Sequence, residues 1–269
     1  MPTSRREAGQ EPDHPTTTIL RRGGGGGGGG AGGDDIAAGD VDGAAPRQVW
    51  VPGPVIVGAG PSGLATAACL KARGVPSLVL EKDACVAASW RHRTYERLRL
   101  HLPRCFCELP LAPFPPGTPP YPTRDQFVAY LDGYARAFGI EPRLGAGVRS
   151  AAYDAAIGFW RVTADEGAEG GGATAATEFV SRWLVVATGE NAEPAWPEGV
   201  EGMDGYRGVA MHTSSYKKGD EFRGKNVLVV GCGNSGMEVS LDLCNNGAKA
   251  SMVVRDKVSV CVVYVSAIY

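Results

Sequence analysis

Neither charge sign dominates this chain: 27 lysines and arginines stand against 29 aspartates and glutamates over 269 residues, a net charge of -2. That balance gives no electrostatic reason to expect a nucleic-acid partner. The N-terminus has no apolar core of signal-peptide length, and Glu7, Glu11 and Asp13 sit poorly in a transit peptide. The Val-rich C-terminal stretch is shorter than the roughly 20 apolar residues a bilayer requires, so no membrane association is expected. Seven cysteines, an odd number without regular spacing, exclude a disulfide framework. They place the protein in a reducing compartment, read as the cytoplasm. Cys105 and Cys107 are one residue apart rather than two, so no Cys-x-x-Cys redox pair is present. No metal site and no catalytic triad are visible.

What the chain does contain is two Gly-x-Gly-x-x-Gly turns, Gly58-Ala59-Gly60-Pro61-Ser62-Gly63 and Gly231-Cys232-Gly233-Asn234-Ser235-Gly236. In a dinucleotide site the first glycine makes the tight turn, the second lets backbone approach the pyrophosphate, and the third allows close helix–strand packing. The glycine pattern alone is weak in a chain with 39 glycines, but both turns have the flanking elements the motif needs. Val55-Ile56-Val57 leads into the first turn; a helix is predicted over Leu64 to Arg73, a stop at Gly74, and a strand Leu78-Val79-Leu80 ending at Glu81. Val227 to Val230 leads into the second; a helix is predicted to Asn246, a stop at Gly247, and a strand Met252-Val253-Val254 ending at Arg255. Gly58 to Glu81 is 23 positions and Gly231 to Arg255 is 24, so the units are near repeats. The strand-end charges differ, and each selects a cofactor. Glu81 can accept both ribose hydroxyls of FAD or NAD and repels a 2′-phosphate, whereas Arg255 favours the 2′-phosphate of NADP. The alternative for Arg255 is a solvated charge at a strand end.

Residues 1–49, with Glu11-Pro12-Asp13-His14-Pro15 and an unbroken glycine run from Gly23 to Gly30, read as a disordered leader. Gly167 to Ala176 reads as a loop tip. Between the two turns, Val148 to Tyr153, Phe159 to Ala164 and Glu178 to Val186 read as a small antiparallel meander. Its exit, Trp183 to Gly189, is read as a buried strand ending in Ala187-Thr188-Gly189, and Pro194 and Pro197 punctuate the linker that follows.

Three further stretches carry a family resemblance. They are Leu98-Arg99-Leu100-His101-Leu102-Pro103 followed by Phe106-Cys107-Glu108-Leu109-Pro110; Ala187-Thr188-Gly189-Glu190-Asn191-Ala192-Glu193-Pro194; and Tyr206-x-Gly208-x-x-x-His212-Thr213-Ser214-Ser215-Tyr216. With the glycine turns they make the chain, from about Gly53 to Lys257, resemble the plant flavin-containing monooxygenases of the YUCCA type, the indole-3-pyruvate monooxygenases of auxin synthesis. Tyr206 stands where that family's identifying motif opens with Phe.

The resemblance implies an α/β flavoprotein with two Rossmann-like dinucleotide-binding domains and a small antiparallel β-meander. It places FAD at Gly58, Ala59, Gly60, Pro61, Ser62, Gly63 and Glu81, and NADPH at Gly231, Cys232, Gly233, Asn234, Ser235, Gly236 and Arg255. His212 and Tyr216 belong to a motif between the domains, near the nucleotide, with His212 given a positioning role; a lone histidine is otherwise more often structural. His101 and Asn191 are the polar candidates near the flavin, each with an ordinary loop hydrogen bond as the alternative. The implied chemistry is oxygen activation on reduced flavin, with dioxygen and a 2-keto acid such as indole-3-pyruvate as reactants. Self-association is left open. The expected divisions are a leader over 1–49, the first part of an FAD-binding domain over 50–190, the first part of an NADPH-binding domain over 191–258, and a tail over 259–269. That tail departs from the family, whose members continue for on the order of a hundred more residues, and reads as a truncation. Two other functions stay open: an inactive fragment that at most binds FAD or a full-length partner, and a disulfide reductase, against which the missing Cys-x-x-Cys speaks.

Overall fold

The computed structural model describes residues 17–20, 47–166, 175–197 and 200–254. Contacts divide the chain into two compact units, one of Gly27–Glu193 and one of Met1–Gly26 with Pro194–Tyr269. The sequence reading places that division after Glu190. Strand β1 (Thr17–Leu20) belongs to the second of these units, while β2 (Arg47–Trp50) begins the first. β1 and all of β2 but Trp50 fall inside the stretch read as a disordered leader, and that expectation is corrected for these seven residues. Their main chains are held by parallel ladders to strands far along the sequence, a pairing that local composition does not announce. The rest of 1–46 lies outside the described residues, as do 167–174 and 255–269, which include Arg255 and the 259–269 tail.

The first unit holds two sheets. A three-stranded parallel sheet has β3 (Val55–Val57) at its centre, flanked by β4 (Leu78–Leu80) and β8 (Leu184–Val186). A four-stranded sheet runs β2, β7 (Ala175–Ser181), β6 (Phe159–Glu166), β5 (Ala146–Asp154). The last three form the antiparallel meander, with β2 added in parallel to β7. Glu178 to Val186 is therefore two strands in different sheets, not one, and Ala175 and Ala176 are strand rather than loop tip. The hydroxyl of buried Ser181 marks the break, donating to the Gly53 carbonyl at 2.8 Å and accepting from the Trp183 N–H at 3.1 Å. Nor is β8 buried throughout: it is an edge strand, and Val186 is 69% exposed.

Helix α1 (Pro61–Lys71) follows β3, and α2 (Ala88–His92) precedes a 3-10 turn at Arg104–Phe106. Helix α3 (Arg124–Ala137) starts at a capping box in which Thr123 and Gln126 bond each other's main chain. Phe127, Tyr130, Leu131 and Tyr134, at helical spacing, bury one face against Leu64 and Ala68 of α1. Its tyrosines also fix the Leu-Pro-rich stretch: the Tyr134 hydroxyl donates to the Pro110 carbonyl and that of Tyr130 to Ala112, both at 2.7 Å, and Tyr130 accepts from the Leu109 N–H. The segment after His101 is thus held by polar bonds inside an apolar cluster.

The second unit is a four-stranded parallel sheet ordered β11 (Lys249–Val253), β10 (Asn226–Val230), β1, β9 (Ala210–His212). Helix α4 (Asn234–Asn245) follows β10, and a 3-10 turn at Gly219–Phe222 precedes it. Val227 and Val229 of β10 are buried, as are Val239 and Leu243 of α4.

Candidate functional site

The two glycine turns are built alike to the level of single hydrogen bonds. In the first, β3 pairs with β4 so that Val57 lies opposite Leu80, and the Gly58 N–H donates to the Leu80 carbonyl at 2.8 Å. In the second, Val230 lies opposite Val253, and the Gly231 N–H donates to the Val253 carbonyl at 2.9 Å. Gly58 and Gly231 both take the left-handed φ, 108° and 109°, that side chains rarely adopt. A Cβ on Gly63 would collide with the Gly58 carbonyl, and one on Gly236 with the Gly231 carbonyl. The first and third glycines are therefore required by the turn itself.

Gly60 is different. Its φ of -80° and ψ of -174° suit any residue, and a Cβ built there meets nothing within 4 Å. The protein supplies no reason for a glycine at this position, whereas a ligand that must lie against bare backbone does. Gly60 is also the N-cap of α1, with no side-chain cap and no acidic residue in the first turn. Gly233 is the N-cap of α4 under the same conditions. Helix N-termini left this way present main-chain N–H groups and a positive dipole end to an anion. Both cradles fit a dinucleotide's pyrophosphate.

Glu81 is 8% exposed and turned into the first cradle. Its Oε2 accepts from the Ala59 N–H at 2.7 Å and its Oε1 from the Asp83 N–H at 3.1 Å. The carboxylate thus braces the turn in addition to offering its remaining lone pairs. The sequence reading gave it only the second task; a carboxylate 22 positions from a main-chain N–H leaves no local signal. Ala187, first of the Ala-Thr-Gly triplet, also abuts this cradle, donating its N–H to the Val57 carbonyl at 2.9 Å and blocking the Cβ direction of Gly58. Beyond it, Glu193 pairs with Lys82 and Arg93, and Arg93 also donates to the Ala192 carbonyl. The Lys82 hydrogen bond holds the Glu193 carboxyl below its usual range. Asn191 sits in an exposed turn within this tethered segment, and His101 in an exposed bend before the 3-10 turn. Pro61 and Ser62 open α1, and Ser62 gives its carbonyl to the Thr66 hydroxyl at 2.8 Å.

In the second unit His212 and Tyr216 of the Tyr206-to-Tyr216 motif have different partners. His212 ends β9, where its Nδ1 accepts from the Ser214 N–H at 3.2 Å and lies 2.9 Å from the Ser214 hydroxyl. An acceptor Nδ1 puts the proton of the neutral ring on Nε2. Tyr216 is 1% exposed, stacks on Phe222, and donates to Asp242 of α4. Its hydroxyl bond anchors the end of this segment to α4. Cys232, Asn234 and Ser235 lie in the turn and the first positions of α4. Burial pushes the Cys85 and Cys107 thiols above their usual range, which is unfavourable for thiolate chemistry.

Comparison with known proteins agrees with this geometry. Residues 55–261 match the family model of the pyridine nucleotide-disulphide oxidoreductases. The chain is a homologue of the indole-3-pyruvate monooxygenase YUCCA1 of Oryza sativa subsp. japonica, 63% identical over 214 residues, covering 80% of this chain and 50% of that protein. It therefore spans about half the length of the curated relatives it matches. Among solved structures, a flavin monooxygenase from Stenotrophomonas maltophilia matches with a TM-score of 0.66 at 25% identity, covering 79% of this chain and 59% of that one. OTEMO in complex with FAD and NADP shares the fold, with a TM-score of 0.62 at 23% identity over 74% of this chain and 38% of its own. Among the described residues no helix is long and apolar enough to cross a membrane.

Proposed function

The chain belongs to the pyridine nucleotide-disulphide oxidoreductase family, and from that premise we propose that it is an FAD- and NADPH-dependent monooxygenase acting on a 2-keto acid, indole-3-pyruvate, with indole-3-acetate as product. The observation that carries the reading is Gly60, a glycine whose Cβ would enter open space in a cradle otherwise closed by backbone. That cradle would hold FAD, with Gly58 to Gly63 against the pyrophosphate and Glu81 accepting from the ribose. Gly231 to Gly236 would hold NADPH, with Arg255 drawing the 2′-phosphate. The chemistry that FAD held at Gly58 to Gly63 and NADPH held at Gly231 to Gly236 would supply is the activation of dioxygen.

The chain's own residues do the positioning. Main-chain N–H groups at the start of α1 and α4 offset phosphate charge without a counter-ion side chain. Glu81 keeps the first turn in shape while it is loaded, because the same carboxylate is bonded to Ala59. Lys82 and Arg93 fix the segment carrying Asn191 next to the Ala-Thr-Gly triplet. The 63% identity to an indole-3-pyruvate monooxygenase supports the substrate, and free thiols at all six described cysteines support a cytoplasmic setting.

The test is direct. Purified protein should be yellow, lose its flavin absorbance on adding NADPH without air, recover it in air, and convert indole-3-pyruvate to indole-3-acetate. A flavin that NADPH does not bleach leaves an FAD-binding protein without the proposed activity.

A further inference from the structure

The main chain of Ala59, between the first two glycines of the first turn, is gripped on both sides from one later segment. Its N–H donates to Glu81 Oε2 at 2.7 Å, and its carbonyl accepts from the Ala87 N–H at 3.0 Å. Each bond fixes a different peptide plane, because a trans peptide is flat and its C=O and N–H point opposite ways. No peptide among the described residues is cis. Glu81 therefore sets the plane between Gly58 and Ala59, and Ala87 sets the plane between Ala59 and Gly60. The hold on the Ala59 carbonyl turns the Gly60 N–H away from Ala87. Among the described residues no acceptor meets that N–H, and Gly60 is the glycine beside which the protein leaves open space.

Ala87 makes its bond in a conformation that side chains rarely adopt. Its φ of 54° and ψ of 32° are left-handed, and Leu111 is the only other non-glycine with positive φ among the described residues. Such a conformation persists where its surroundings over-determine it. The Ala87 carbonyl accepts from the Trp90 and Arg91 N–H groups at 3.0 and 3.1 Å, which opens α2. Its methyl is buried in one apolar cluster with Leu64 and Leu100. The Arg91 side chain donates from Nε to the Val86 carbonyl at 3.0 Å and pairs with Asp132 of α3. That carbonyl and the Ala87 N–H belong to the same peptide. A series of groups thus runs from Asp132 through Arg91 and the Val86–Ala87 peptide to the Ala59–Gly60 peptide, and a cation donating at one end of a peptide strengthens the N–H at the other.

We propose that Ala87 is a positioning residue for the flavin's pyrophosphate. Its N–H, aimed by a left-handed backbone that Arg91 braces, fixes the Ala59–Gly60 peptide and with it the direction of the Gly60 N–H. Arg91 is the second positioning residue, acting through Ala87. The role rests on the assignment of FAD to the first cradle. Glycine at position 87 would take the same backbone freely, so the N–H and its direction are the requirement, not the methyl.

The experiment follows the full chain and three variants by FAD affinity in fluorescence titration, by the phosphorus NMR spectrum of bound FAD, and by amide exchange at Ala87 in the flavin-free protein. Incorporating lactic acid in place of Ala87 keeps the methyl but exchanges the N–H for an ester oxygen. FAD should bind about tenfold more weakly to it, the worth of one good hydrogen bond, and the pyrophosphate resonances should move. Ala87→Gly should hold FAD within about twofold of the parent with the same resonances, although loss of the buried methyl lowers its melting temperature. Arg91→Lys keeps the charge but lacks the fork that serves Val86 and Asp132 together; exchange at Ala87 should quicken about tenfold with the loss of that bond, and FAD should bind more weakly. Unchanged affinity and resonances in the ester chain overturn the aiming role, as does an equal loss in Ala87→Gly, which would assign the effect to packing. Unchanged exchange in Arg91→Lys overturns the brace. A parent that takes up no FAD overturns the cofactor assignment and the aiming role with it, while exchange at Ala87 still decides the brace.

Discussion

The Tyr216 hydroxyl donates to Asp242 Oδ2 at 2.6 Å, joining the end of the His212-containing segment to the helix that follows the second glycine turn. Asp242 also accepts from Asn246 Nδ2, at 3.1 Å on Oδ1 and 2.8 Å on its main-chain oxygen. Tyr216→Phe keeps the ring and its stacking on Phe222 but removes one hydrogen bond from a buried carboxylate. Such a loss costs about 1–3 kcal/mol. The urea midpoint of the second unit, followed by hydrogen exchange, should fall accordingly, with flavin binding in the first unit unchanged.

Gly60→Ala and Gly63→Ala should separate ligand space from fold space. At Gly60 a methyl group meets no protein atom, so thermal stability should hold while flavin affinity falls at least about tenfold, because the methyl occupies the pyrophosphate's approach. At Gly63 the methyl meets the Gly58 carbonyl, so the protein should lose stability whether or not flavin is present. Melting curves with and without FAD distinguish the two.

Glu81→Gln exchanges a charged acceptor for a neutral one at the Ala59 N–H. Hydrogen bonds to charged groups contribute about 1.5–3 kcal/mol, so flavin retention should drop at least about tenfold. Equilibrium dialysis of the variant against free FAD measures it.

Tyr134 sets an alkaline limit. Burial pushes its phenol up from 10.0 to about 12, and its hydroxyl donates to Pro110 at 2.7 Å. The folded state favours the neutral form, so this contribution is complete below pH 10 and is lost as pH rises from about 10 to about 12. Stability measured across that window should fall more steeply in the parent than in Tyr134→Phe.

Arg255 is the residue proposed to select the donor nucleotide. Replacing it with alanine removes the cation proposed to meet the 2′-phosphate, and preference for NADPH over NADH should drop at least about tenfold. Anaerobic flavin reduction rates with each nucleotide give the ratio.

Much of the site could be read along the chain because each cradle is local. Strand, turn, helix and closing strand lie within about 25 residues, and each step has a residue-type requirement: glycine where φ is positive at Gly58 and Gly231, small residues where Gly63 and Gly236 touch backbone, a charge at the strand end. The structure realises the predicted strands of the first unit at the same residues and those of the second within three residues at either end. The meander showed in alternation for the same reason.

What only the tertiary structure decided is long-range and carried mainly by main chain or single side chains. Thr17–Leu20 and Arg47–Trp50 become strands because distant partners supply N–H and C=O groups in register, a bond that leaves no mark on composition. Glu81 braces Ala59, and Tyr216 anchors Asp242, through one bond each across 22 and 26 positions. Residue type prescribed the cradles, whereas the packing of separated segments determined which groups stand ready for a ligand and which are already committed to the protein.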